Sequence, residues 1–146
     1  MGQTIVAVLG TLAAVVITSA YQSRATRTAR KEARRTEGLA AVEALVAALA
    51  DHRRAMWVRE DLRLRDQDWS AARTESHATR SAITGPLLRV QLLLPAAAEA
   101  AQTAAQATYA LRGQISTANL NVARTEALTA ADDLVATVGR HLALAA

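Results

Sequence analysis

Cysteine is absent from the 146 residues, and with it go a disulfide framework, a thiolate zinc site and a cysteine nucleophile. Phenylalanine is absent too, and two Trp and two Tyr make up all the aromatics, 3% of the chain. Strands favour aromatic and β-branched side chains, so this shortage argues against an all-β or α/β core. Six Gly and two Pro punctuate the sequence. The glycines stand apart from one another, so no Gly-rich phosphate loop forms. Alanine is what the chain has in abundance, at 36 positions, and it is the best intrinsic helix former. The composition predicts an all-α protein. An Ala-rich chain with so few aromatics builds a thin core, so part of its 51% hydrophobic content is expected to serve another purpose.

That purpose is legible at the N-terminus. No charged side chain occurs before Arg24, and residues 4–21 (TIVAVLGTLAAVVITSAY) form an apolar run ending in an aromatic residue. A helix over these residues is about 27 Å long, against a bilayer hydrocarbon core of about 30 Å, and Tyr21 falls where an interfacial anchor belongs. Arg24, Arg27, Arg30, Lys31, Arg34 and Arg35 follow, with Glu32 the one acid among residues 22–36. Basic residues after the span and none before it predict a single-pass inner-membrane protein, its N-terminus outside and its C-terminal body in the cytoplasm. A cleaved signal peptide, with Thr18 and Ala20 before Tyr21, fits less well because its charge would precede the apolar run. Arg24, Arg27, Lys31 and Arg34 recur at helical spacing, making a stripe suited to the bilayer surface and its anionic headgroups. The same residues also serve simply to fix orientation. Gly10 and Ala14 form a small-xxx-small pair suited to helix contact, a pattern equally common in spans that make none.

The expected organisation is therefore a transmembrane anchor over residues 1–21, a basic juxtamembrane helix over 22–37 and an antiparallel bundle of about four helices over 38–146. The first helix of the body carries the stripe Leu39, Val42, Val46, Leu49, Arg53 and Met56 and extends to about Arg65. Ser70 or Thr74 caps a second helix reaching Leu94, which Gly85-Pro86 either kinks or splits. Pro95 opens a third helix running to Arg112, with Gly113 as its stop. Ser116, Thr117 or Asn119 caps a fourth, in which Leu128, Ala131, Val135, Val138 and Leu142 form the stripe. The run Leu87–Leu94 is apolar around most of its circumference, which predicts central burial, or else cover by a second protomer or a membrane component.

The chemistry-bearing residues do not assemble into a catalytic set. His52, His77 and His141 lie far apart without metal-ligand spacing. The acids from Glu60 to Asp68 alternate with Arg59, Arg63 and Arg65, and Glu60/Arg63 and Asp61/Arg65 are spaced as helix-surface pairs on a solvated face. Asp132 and Asp133, adjacent on a helix, diverge. We therefore expect a non-enzymatic protein with no cofactor and no metal. Residues 51–80 hold seven Arg, but six acids interleave with them, so specific nucleic-acid binding is not expected. Trp57 and Trp69, the largest side chains of the body, are candidate interface anchors or core residues, with an Arg stacked nearby. The partner is an unidentified protein or a second copy of the chain. The alternative to this cytoplasmic interaction protein is a secreted or lytic-type membrane protein whose helical body lies outside the cytoplasm.

An Arg-rich helix bearing Arg53, Arg54 and Trp57, followed by the string Arg89-Val90-Gln91-Leu92-Leu93, resembles small actinobacterial membrane proteins labelled KilB-like. The resemblance extends over most of the chain as the order apolar anchor, Arg-rich stalk and helical body. The preference for 16 Arg over a single Lys, with abundant Ala, resembles the usage of a high-GC source such as Streptomyces. This resemblance implies a link to the spread of conjugative plasmids between mycelial compartments, and it brings no catalytic residues.

Overall fold

A computed structural model describes the backbone of residues 2–144 and the side chains of residues 25–143. The chain divides into two units, Met1–Thr36 and Glu37–Ala146. Its elements are α1 (Gly2–Leu64), α2 (Ser70–Leu93), a 3-10 turn (Pro95–Ala97), α3 (Ala98–Tyr109) and α4 (Thr117–Leu144). Among the described residues there is no strand, and no helix is long and apolar enough to cross a membrane. The span expected over residues 4–21 lies outside the residues whose side chains are described.

Within the second unit, the part of α1 from Glu37 onward packs with α2, α3 and α4 around an apolar core. Ala41, Val42, Leu45 and Leu49 of α1 share one cluster with Leu134 and Val138, near the end of α4. Further along α1, Met56 meets Leu120, Ala123 and Ala127, near the start of α4. The two helices therefore run antiparallel. The interior is built largely of small side chains: Ala97, Ala101, Ala104 and Ala105 from the 3-10 turn and α3, and Ala123, Ala127 and Ala131 from α4. Gly38 is part of the same economy of volume, since a Cβ built there would stand 3.1 Å from Leu94 Cγ.

The turns follow from local chemistry. At the end of α1, Gln67 N–H bonds to Leu62 O at 2.9 Å and Asp66 N–H to Arg63 O at 3.2 Å, the paired bonds of a Schellman stop. Asp66 occupies its left-handed position with φ 55°, a conformation that Asp tolerates better than most non-Gly residues. Asp68 then accepts the Ser70 N–H at 2.9 Å and opens α2. That acceptor, rather than Ser70 or Thr74, starts the helix, and the bond holds the Asp68 carboxyl below its ordinary pKa. Ser116 opens α4: its hydroxyl accepts the Asn119 N–H at 3.1 Å and donates to Asn119 Oδ1 at 2.8 Å.

Four further expectations are corrected. Leu39 is exposed, and although Arg53 sits at the half-buried edge expected of the one charged break in the stripe, it is its neighbour His52 that takes the interior position on α1, where a neutral ring with one hydrogen bond costs less to bury than a guanidinium. On α4 the buried line is Leu120, Ala123, Ala127, Ala131, Leu134 and Val138, leaving Leu128 and Val135 outward, because the small residues of α3 admit this face at close range. Helix α3 stops at Tyr109 instead of Arg112, the chain tightening to an Arg112 N–H bond on Tyr109 O. The run Leu87–Leu94 is not central: Val90 and Leu94 are buried, but Leu88 and Leu92 are 54% and 71% exposed, because α2 flanks only one side of the core. Pro86 lies inside an unbroken α2, with the carbonyl it deprives of a donor belonging to exposed Ala82.

Replacing Asp66 by Gly relieves the left-handed strain and is expected to raise stability by about 1 kcal/mol, whereas Asp66→Val lowers it by a similar amount. Urea unfolding of the three proteins checks the order.

Candidate functional site

The surface candidates fall on the two units separately. In the first unit, Arg27, Arg30, Lys31, Arg34 and Arg35 of α1 are all exposed, and among the described residues none of them enters an ion pair. The side chain of Arg24 lies outside the described residues. Successive steps of three and four residues carry Arg27, Arg30/Lys31 and Arg34 along one side of the helix, so their charges add instead of cancelling.

In the second unit, Trp57 and Trp69 are both half-buried and meet different neighbours. Trp57 donates from Nε1 to Asn121 Oδ1 of α4 at 3.2 Å, and the Arg124 guanidinium lies 5.8 Å from its ring. Trp69, just before α2, has Arg59 at 5.2 Å and Arg73 at 5.7 Å. Each ring thus has the cation neighbour expected of it, at a distance where the ring quadrupole attracts the charge. Beside Trp57, an open groove of about 460 Å³ between α1 and α4 is lined by Arg53, Arg54, Val58 and Arg124. Burial and Arg124 both lower the Arg53 pKa, while Asp132 opposes them. Among the described residues no group of three or more His, Asp or Glu is placed to hold a metal ion.

This unit also contains a buried polar seam that the sequence pattern did not reveal. Glu60 and Asp61, read as members of a solvated face, are buried at 1% and 8% exposure. The expected pairs do form: Arg63 meets Glu60 Oε2 at 2.8 Å, and Arg65 meets Asp61 Oδ1 at 3.1 Å. Glu60 Oε2 also accepts the Gly113 N–H at 3.1 Å, and Arg63 donates to Gln114 O. One carboxylate and its guanidinium therefore hold the α3–α4 loop, whose Gly113 takes φ 78°. Arg59 lies 3.6 Å from Glu60 Oε1 and donates to Ser76 Oγ at 3.3 Å. The i, i+3 spacing of Glu60 and Arg63 was visible in the sequence. Their burial was not, because it depends on a loop 53 residues away.

His52 is the second buried member. Its Nδ1 lies 3.0 Å from Thr79 Oγ1, and that hydroxyl donates its own proton to Glu75 O at 3.0 Å, so His52 Nδ1 is the donor. Burial first, then Arg80 and Arg59, lower its pKa from 6.5 to about 4.

Glu60→Ala leaves the Arg63 guanidinium and the Gly113 N–H without their acceptor. It is expected to cost about 3 kcal/mol in denaturant unfolding, the low end for a broken buried pair because Arg63 stays a third exposed. His52 stays neutral in the native state but gains a proton in the unfolded state below pH 6.5. The unfolded state then binds more protons, so stability falls as pH drops from about 6.5 to about 4. His52→Gln should flatten that part of the pH–stability curve relative to wild type.

Comparison with known proteins places this architecture. The KilB plasmid transfer protein family matches residues 39–142, the span of the helical unit that carries the seam and the Trp57 groove. Protein KilB of Streptomyces lividans is 54% identical over 144 residues, covering 97% of this chain and 98% of that protein. No solved structure matches the chain. A match of this extent in both comparisons shows that the chain belongs to the KilB plasmid transfer protein family.

Proposed function

We propose that this chain is a non-catalytic, membrane-anchored interaction component of plasmid transfer or spread. Residues 4–21 serve as its single inner-membrane anchor, and the helical unit is its cytoplasmic docking body. The observation that carries the reading is the row Arg27, Arg30, Lys31, Arg34 and Arg35, exposed and without an ion pair among the described residues, immediately beyond an apolar run of spanning length. Such a row after a span retains the following domain on the cytoplasmic side. It also draws the helix onto anionic headgroups by about 1 kcal/mol per basic residue. The role in plasmid transfer is supported by the family and by the name of the Streptomyces lividans protein. The interaction role is supported by the Trp57 groove, where an aromatic edge stands among guanidinium groups, a composition enriched where proteins dock. A protein partner or a second copy of the chain fits this groove; specific nucleic acid is not its ligand.

The absence of cysteine makes the test direct. With Ala146→Cys supplying the sole thiol, a membrane-impermeant maleimide is expected to label the protein only after cell lysis, and the protein is expected in washed membranes. Labelling of intact cells, or recovery in the soluble fraction, overturns the reading. Replacing Arg27, Arg30, Lys31, Arg34 and Arg35 by Glu in the Ala146→Cys protein is expected to make its thiol reactive in intact cells, because the orientation signal is then removed.

A further inference from the structure

The helical unit encloses a small void of about 30 Å³ lined by His52, Arg59, His77, Arg80 and Arg112, with Tyr109 on one wall and no carboxylate among its lining residues. By contrast, Arg54, Arg63 and Arg65 of the same unit each meet an acid. Among the described residues neither Arg80 nor Arg112 has an ion-pair partner, and Arg80 lies over the Tyr109 ring at 4.0 Å. Arg59 has one carboxylate, Glu60, whose Oε1 stands 3.6 Å from the Arg59 Nε, too far for a hydrogen bond, while Arg63 and the Gly113 N–H engage the other oxygen, Oε2. Its Nε is buried and has no hydrogen-bond acceptor among the described residues.

We infer that this void and its rim form a binding site for a phosphate-type oxyanion, with one oxygen seated in the void beside Arg59 and the others met at the rim by Arg80, Arg112 and His77. The volume sets the stoichiometry. About 30 Å³ holds roughly one water or one anion oxygen, so a tetrahedral anion enters by one oxygen and keeps the rest at the mouth, where Arg80, Arg112 and His77 are exposed. Fixed guanidinium groups around a confined acceptor give short charge-assisted bonds, with the planar forks oriented by their surroundings. Here Tyr109 orients Arg80, and the Glu60-held loop orients Arg112, the residue before Gly113. The low His52 pKa, set first by burial, also reports this excess of positive potential, since Arg80 and Arg59 push it further down.

A phosphate group reaches such a site either as free phosphate or as a lipid headgroup, and the test separates the two. Full-length protein in a neutral detergent is titrated with sodium phosphate, with sodium chloride at matched ionic strength, and with short-chain phosphatidic acid against phosphatidylcholine. The readouts are thermal unfolding and the NMR titration of the His52 ring. The site predicts a saturable rise in melting temperature of several degrees with phosphate but not with chloride, and a His52 pKa moved up toward 6.5. Arg80→Gln and Arg112→Gln, both at exposed positions, should each weaken binding at least tenfold, while Arg140→Gln leaves it unchanged. Response to phosphatidic acid alone assigns the site to a headgroup, response to phosphate alone assigns it to the free anion, and response to both assigns it to the phosphate group itself. No response to either, or one that Arg80→Gln and Arg112→Gln leave intact, overturns the proposal.

Discussion

Glu60 carries a formal charge to a place where water does not reach, and the neighbouring structure is arranged to answer it. A carboxylate at 1% exposure is tolerable only if its oxygens are met by donors of fixed position. Arg63 supplies one from the same helix, and Gly113 supplies another from the loop between α3 and α4. Because that second donor is a backbone amide in a left-handed turn, the loop cannot drift without leaving the charge short of a partner in an apolar interior. The position of the loop fixes where α4 begins, and so brings Asn121 and Arg124 against Trp57. It also fixes Arg112 at the rim of the cationic void. Groove and void thus share one foundation, although they open at different residues.

How much of this is legible before folding depends on the range of the interaction responsible. Helical content, the turn near residues 65–69, the cap at Ser116 and the left-handed turn at Gly113 are written in composition or within a few residues, and they are read from the chain directly, although α3 ends before Gly113, at Tyr109. The pairings Glu60/Arg63 and Asp61/Arg65 are read correctly as spacings and incorrectly as surface features. Spacing is local, whereas burial requires knowing that Gly113 arrives on that side. The stripe on α4 holds at Ala131, Val138 and Leu142 and fails at Leu128 and Val135 for a related reason. Leu128 and Val135 outrank alanine in hydrophobicity, so a pattern search selects them, yet the facing helix is lined with Ala101, Ala104 and Ala105, and what fits there is small. The burial of His52 is not legible because the partner that makes it tolerable, Thr79, belongs to another helix.

Several features of the chain exceed what a helical core requires. A bundle needs neither an uncancelled basic row at residues 27–35 nor three arginines and two histidines around one void. Nor does it need Leu88 and Leu92 facing outward. Membership of the KilB plasmid transfer protein family gives these surplus features their setting.

The alanine-lined interior sets the terms on which the protein tolerates change. In a core of Leu and Phe the damaging substitutions are those that remove volume, because they leave cavities. Here Ala97, Ala101, Ala104, Ala105 and Ala127 are each at most 1% exposed, and they have almost no side chain to lose. Their vulnerability runs the other way, toward enlargement, since an added methylene has no space to occupy and forces the helices apart. Tolerated substitutions at these positions are therefore confined to the smallest residues, while the outward positions Leu88, Leu92, Leu128 and Val135 carry no such limit. The spacing between the helices is thus set by the smallest side chains of the core, and the bulk of the larger ones is carried on the outside.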